Sequence, residues 1–381
     1  MRGLLAFVCL VVGVDTVFYA AITPILPELS DEYGLSKTAA GVLAAAYPAG
    51  TFLGALPGGW LAARAGTRPT VLLGLGLLVG SSIAFAFADD IVVLDVARFV
   101  QGVGGAASWA GALGWLIGAA PRERRGELIG TALAAAIVGA LLGPVLGAAA
   151  GAIGHAPVFA AVAGMGAAMM AWALRLRAAE PEGDSRLRTL LASLGDRRVA
   201  SGMWLTALPG VLFGTVAVLV PLRMDEVGAG AAGIAAAWVI AGAFEATVNP
   251  LVGRLSDRRG RLLPSIAGVA GGGLVMLALP WPTSAWALGG LVIVAAPLIG
   301  TLWTPAMAML SDGAEAFGVA QGFAFALVNL AWATGQTAGA AGSAWLADTV
   351  GDRVPYLVLA GVCALTLAGL VRGRDRAVAP A

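Results

Sequence analysis

Three charged residues stand inside long apolar runs: Asp15, Arg98 and Glu245. At mid-depth in a bilayer each such charge costs at least about 2.5–3.5 kcal/mol, so each needs a partner or a task. Desolvation disfavours a carboxylate, so a carboxyl held there can take a proton from one side and release it to the other as its hydration changes. That is the least that exchange of protons for a solute requires, and Asp15 and Glu245 are the candidates. Arg98 cannot deprotonate and is the candidate counter-ion, with Asp95 one turn earlier as a competing partner for it.

Helical spacing gathers polar and aromatic side chains around these charges. Tyr19 lies one turn from Asp15, and Gln101 about one turn from Arg98. Trp238 and Asn249 share a face with Glu245, and Asn329, Trp332 and Gln336 share another. With Trp204, Trp303 and Phe213 as further candidate walls, the expectation is an aromatic, mostly apolar cavity, suited to lipophilic ligands including cations. A membrane enzyme would need converging His, Cys, Ser or paired carboxylates, and none is visible. One histidine, His155, leaves no basis for a multi-histidine metal site. Cys9 and Cys363, in apolar runs near opposite ends, read as small buried hydrophobes. A net charge of +1 implies no nucleic-acid partner, and no cofactor is expected beyond a proton gradient as energy source.

The positioning elements are membrane helices. Of the 381 residues, 59% are hydrophobic and 12% charged, against about 25% charged in a soluble protein. Apolar runs of about 20 residues follow one another, twelve in all, from 4–27 to 354–371. The first run is too long for a cleaved secretory signal. With the N-terminus inside, of the 23 basic residues only Lys37, Arg223 and Arg353 fall outside and Arg98 within a span. Basic residues mark the cytoplasmic side, so both termini are expected there. The polar stretch 179–198, with Leu187, Leu190, Leu191 and Leu194 on one helical face, reads as a linker or a surface helix. It divides the chain into six-span sets, 1–178 and 199–381.

The two sets repeat. GWLAARAGTRP (59–69) matches GRLSDRRGRLL (253–263) at Gly59/Gly253, Leu61/Leu255, Arg64/Arg258 and Gly66/Gly260. GALLGPVLGAAAG (139–151) carries Gly139, Gly143, Gly147 and Gly151 at every fourth position, with Pro144 among them. The corresponding stretch carries Ala331, Gly335, Gly339 and Ser343. Small residues at this spacing let helices approach closely where no hydrophobic effect drives them together. Their repetition predicts a moving seam between the halves, with Gly143 and Gly147 facing span eight.

In this order and spacing the motifs resemble those of the major facilitator superfamily. Its loop pattern G-x-L-A-D-R-x-G-R-R is kept at Gly59, Leu61, Ala62, Arg64, Gly66 and Arg68, with Ala63 in place of aspartate. The second copy keeps Gly253, Leu255, Asp257, Arg258, Gly260 and Arg261. R-x-x-Q-G-x-G is matched by Arg98, Gln101, Gly102 and Gly104, and GALLGPVLGA resembles the fifth-span pattern G-x-x-x-G-P-x-x-G-G, associated among relatives with exporters that exchange substrate for protons, except at Ala148. Asp15 followed by TPILPEL is similar to the first span of twelve-span drug:proton antiporters. The resemblance implies an all-α membrane fold of twelve helices in two pseudo-symmetric six-helix bundles. It implies a monomeric, proton-coupled exporter of small lipophilic compounds in the cytoplasmic membrane, with a metabolite importer or uniporter of the same fold as the alternative. It also implies that the two loop motifs, Asp257 included, act as gating latches.

Overall fold

In the computed structural model the described residues are 1–121, 124–177, 195–316 and 321–378. Within them the side chains of 125–126, 257, 311, 314–316, 321–325 and 373–378 are not described. The described elements are helices: α1 Arg2–Tyr33, α2 Lys37–Ala65, α3 Thr67–Ala86, α4 Ile91–Ala119, α5 Arg125–Ile153 and α6 His155–Arg175. There follow α7 Arg197–Glu226, α8 Gly230–Arg259, α9 Leu262–Ala278, α10 Ala285–Gly300, α11 Trp303–Ala316 and α12 Gln321–Thr337. A wide π turn, Ala338–Gly342, then leads into α13 Ser343–Val350, and α14 Val354–Val378 closes the order. In lipid every backbone group must be satisfied within the segment, and some of the helices start where a side chain caps them. Ser36, Asp90, Asp196 and Ser284 accept from the first free N–H groups of α2, α4, α7 and α10.

Among the described residues ten helices are long and apolar enough to cross a membrane, and α10 with α11 counts as one of these. The shorter apolar helix α9 and the run α12, π turn and α13 occupy the two remaining expected spans. Most of the expected linker, 179–194 of 179–198, lies outside the described residues. Below, the terminal end is the end of the bundle carrying Arg2 and the C-terminal end of α14, and the far end is the opposite one.

The repeat is visible in backbone geometry. Gly66 closes α2 with φ 96° and Gly260 closes α8 with φ 79°, a region open to glycine and closed to most other residues. These are the two glycines that the loop motifs align.

The glycine stripe is placed differently from expectation. A Cβ on Gly139 would strike the Gly13 carbonyl, one on Gly143 the Val17 carbonyl at 2.7 Å, and one on Gly147 the Ala21 carbonyl. The stripe therefore packs α5 on α1, inside its own half. Gly335 and Gly339 likewise abut the carbonyls of Ala207 and Val211 on α7. What α5 turns to α8 is Leu141, whose Cδ2 lies 2.8 Å from where a Gly242 Cβ would be. The face with no side chains is spent mainly on the tight backbone contact with α1, while the contact with α8 includes Leu141 and the neighbourhood of Gly151, where a Cβ would stand 3.9 Å from Ala231. Pro144 sits within an α5 that runs unbroken from Arg125 to Ile153.

The halves meet along the length of the bundle. At the far end Lys37 at the start of α2 reaches Asp352 at 2.6 Å and Glu226 at 3.7 Å, and Thr38 Oγ1 donates to Asp348 at 2.7 Å. Below these contacts, α2 lies so close to the π turn and α13 that a Cβ on Gly41 would strike Ala344. Midway, Tyr19 of α1 meets α12. Toward the terminal end, Leu56 of α2 packs against the cluster of Val199, Leu310, Leu327 and Val328.

Candidate functional site

Asp15, in the middle of α1, is 3% exposed. Its Oδ2 accepts hydrogen bonds from the Tyr47 hydroxyl on α2 at 2.7 Å and from the indole N–H of Trp109 on α4 at 2.8 Å. Its other oxygen, Oδ1, is buried without a hydrogen-bond partner. Room for the carboxyl comes from Gly105 on α4, where a Cβ would stand 2.6 Å from Oδ1 and 2.7 Å from the Tyr47 hydroxyl. An acid held by two donors, with one oxygen idle, is placed to change protonation with little rearrangement of its neighbours.

Arg98, also 3% exposed, reaches from α4 across to α1. Its guanidinium donates to the Phe18 carbonyl at 3.1 Å, the Tyr19 carbonyl at 3.3 Å and Gln101 Oε1 at 2.8 Å. It also lies 5.2 Å from the centre of the Tyr47 ring, a cation–π contact. Asp95 is not its partner: the Asp95 Oδ1 has no hydrogen bond. Backbone carbonyls meet the guanidinium instead, and Tyr47 lies between it and Asp15, bonded to the acid and facing the cation with its ring. Nε of Arg98 is left without a partner. Beside the side chain lies a cavity of about 10 Å³ between Phe18, Ser82 and Phe159, the size of about one water.

Tyr19 carries this cluster to the other half. Its ring packs 5.2 Å from Tyr47 and 5.3 Å, edge-on, from Trp332, and its hydroxyl accepts from Gln336 Nε2. Gln336 is itself buried, with Oε1 unpartnered. Asp15, Tyr19, Arg98, Gln101, Trp332 and Gln336 thus form one connected group. Tyr47, Trp109 and Gly105 complete it and were not singled out in the sequence. The signal for Tyr47 is a phenol amid Ala and Gly in AAAYPAG, while Trp109 offers no signal of its own.

Glu245 stands apart. Its carboxyl packs against Gly300 of α10, with Asn249 one turn on along α8, rather than reaching Asp15 or Arg98. Trp238 is partly buried against the core, and Asn329 is half-buried on α12. Trp204 is 46% exposed on the rim of the bundle, bonded to Thr366, so it is no cavity wall.

At the terminal end, Arg64 lies over the Trp60 ring at 5.3 Å, and Arg68 donates to the Leu174 carbonyl of α6. Nothing within 4 Å would meet a Cβ on Gly59, whereas one on Gly253 would touch Thr304 at 3.9 Å. Arg258 is exposed, and the Asp257 side chain lies outside the described residues. Among the described residues no three His, Cys, Asp or Glu side chains gather as metal ligands.

The family profile of the Major Facilitator Superfamily matches residues 8–335. The chain is 32% identical over 126 residues to the MFS-type transporter ppzB of Metarhizium rileyi, covering 32% of this chain and 26% of that protein. It is 40% identical over 96 residues to the 4-hydroxybenzoate transporter PcaK of Pseudomonas putida, covering 25% and 21%. These alignments span about a quarter of the curated relatives' length. The fold is similar to the human organic anion transporter MFSD10 (TETRAN), with TM-score 0.73, 17% identity, and 97% and 99% of the two chains covered. It is similar also to a POT family transporter in complex with 5-aminolevulinic acid, with TM-score 0.74, 15% identity, and 98% and 96% covered.

Proposed function

The chain belongs to the major facilitator superfamily, and on that footing we propose that it exports small lipophilic aromatic compounds in exchange for protons. The observation that carries this is the Asp15 cluster: a buried acid bonded to Tyr47 and Trp109, linked through the Tyr19 ring to Trp332 and Gln336 of the other half. Rocking the halves would pull Tyr19 from α12, open the cluster to water and change the protonation that Asp15 prefers. A substrate entering between Tyr19 and Trp332 would compete for the same aromatic faces. Arg98 stabilises the deprotonated acid, and Gln101 and two carbonyls keep the guanidinium in place. Glu245, with Asn249, is a second proton site on α8. The fifth-span motif supports export, and the distribution of basic residues supports a cytoplasmic-membrane protein with both termini inside. The two units are 1–178 and 199–381, joined by 179–198, and the protein acts as a monomer.

A second reading is import of an aromatic carboxylate. It is favoured by the buried Arg98, which has an unpaired Nε, and by the stretch similar to a 4-hydroxybenzoate transporter. Cells lacking their own exporters separate the two. Expression should lower accumulation of ethidium, and a proton uncoupler should restore it. Uncoupler-sensitive uptake of labelled 4-hydroxybenzoate without dye export would instead establish the second reading.

A further inference from the structure

At the terminal end of the second half, a cavity of about 430 Å³ opens between the start of α7, the start of α9 and the end of α11. Arg197, Arg198, Ser201, Arg261, Met309 and Asp312 line it, with Gly313 beneath. Three guanidinium groups face one carboxylate, and that one, Asp312, is paired with Arg261. Among the described residues Arg197 and Arg198 have no side-chain hydrogen bond or ion pair, and both are exposed.

Three other arginines at the terminal end are engaged elsewhere. Arg124 pairs with Glu127 at 2.9 Å, Arg68 donates to the Leu174 carbonyl, and Arg64 lies over Trp60. The N-terminus of α7 is also taken, since the Asp196 carboxyl accepts from the N–H groups of Arg198 and Val199. An anion here must therefore be held by side chains. The walls are set by close backbone contact: a Cβ on Gly202 would stand 2.8 Å from Leu310 Cα, and one on Gly313 3.3 Å from the Val199 backbone. The arginine stems thus rise from a packed corner.

The chemistry that fits is a phosphate ester. A guanidinium offers a planar fork of donors that grips phosphate oxygens in pairs. The Ser201 hydroxyl adds a donor, and Met309 gives an apolar floor for the carbon side of the ester. The cavity lies where three apolar helices end, and basic pockets between membrane helices suit lipid headgroups. We propose that this pocket is a binding site for a phosphate-bearing anionic group, supplied by a phospholipid of the adjoining leaflet or by a soluble phosphate ester.

The test uses the full-length protein in nanodiscs of mixed phosphatidylglycerol and phosphatidylcholine, with retained lipid counted by native mass spectrometry. The variant Arg197→Gln/Arg198→Gln is compared with Arg175→Gln/Arg177→Gln, which removes the same charge from exposed positions at the same end. All four side chains are exposed, and thermal melts check that both variants fold. The parent should retain phosphatidylglycerol selectively, the pocket variant about tenfold less, and the control as much as the parent. Displacement by millimolar sn-glycerol 3-phosphate would assign the site to the phosphate ester itself, whereas retention against it would assign it to the lipid. Equal losses in both variants would mean diffuse attraction by a basic face, and no selectivity in the parent would mean no site. Either result overturns the proposal.

Discussion

At the scale of single residues, the account rests on Asp15 and the groups that touch it. Asp15→Asn keeps the shape and removes the titratable proton, so substrate-driven proton release from purified protein should vanish while the fold survives. A pH-indicator dye reads this directly, and undiminished release would free Asp15 of the role. Gly105→Ala should be nearly as damaging for a different reason. Its methyl group would stand against Oδ1 and the Tyr47 hydroxyl, at a cost of about 1–3 kcal/mol from overpacking, visible as a lower melting temperature together with weakened transport. Much of this cluster was legible in the sequence, because a charge in an apolar run is conspicuous and helical periodicity predicts neighbours along one helix. Asp15 with Tyr19 and Arg98 with Gln101 were found in that way. Periodicity is blind across helices, so Tyr47 on α2 and Trp109 and Gly105 on α4 surfaced only when three helices were packed. The same blindness made Asp95, near Arg98 along the chain, look like its partner. The carbonyls that hold Arg98 belong to α1 and leave no trace in side-chain pattern.

At the scale of elements, the small-residue stripes were legible as close-contact faces, but their partners were not. Spacing says how near another backbone can come, and not which backbone it is. With Gly143 seated on Val17 and Ala20 of α1, Gly143→Leu should lower thermal stability by about 1–3 kcal/mol or more. It should leave unchanged the ratio of labelling from the two membrane sides, read with a reporter cysteine after Cys9 and Cys363 are replaced. A changed ratio at full stability would restore the seam to the inter-half boundary. The far-end clasp behaves in the opposite way. Lys37 is the only lysine in the chain, and it bridges α2 to Asp352 and Glu226 of the second half. Exposed ion pairs contribute at most about 1 kcal/mol, so Lys37→Ala should leave melting nearly unchanged and raise the far-end-open population by no more than about fivefold. Amine acylation of Lys37 in the parent gives an independent readout, slow when the far end is closed and fast when it opens. Equal rates with and without a substrate that shifts the halves would remove the clasp from the gating cycle.

For the whole molecule, the twelve-span, two-half architecture was legible because lipid imposes it: apolar length, basic loops and a repeated motif each follow from the membrane. The conformational state was not legible, since it depends on contacts between the halves such as Tyr19 with Gln336 and Lys37 with Asp352. The central claim is that those halves move solute against protons through Asp15. Proteoliposomes holding the parent or Asp15→Asn, given a proton gradient and either ethidium or labelled 4-hydroxybenzoate, test it most directly. The parent should move one of the two probes uphill while the gradient lasts. Asp15→Asn should equilibrate the same probe downhill and never concentrate it. Uphill movement by Asp15→Asn equal to the parent's, or no movement of either probe by the parent, would contradict the account.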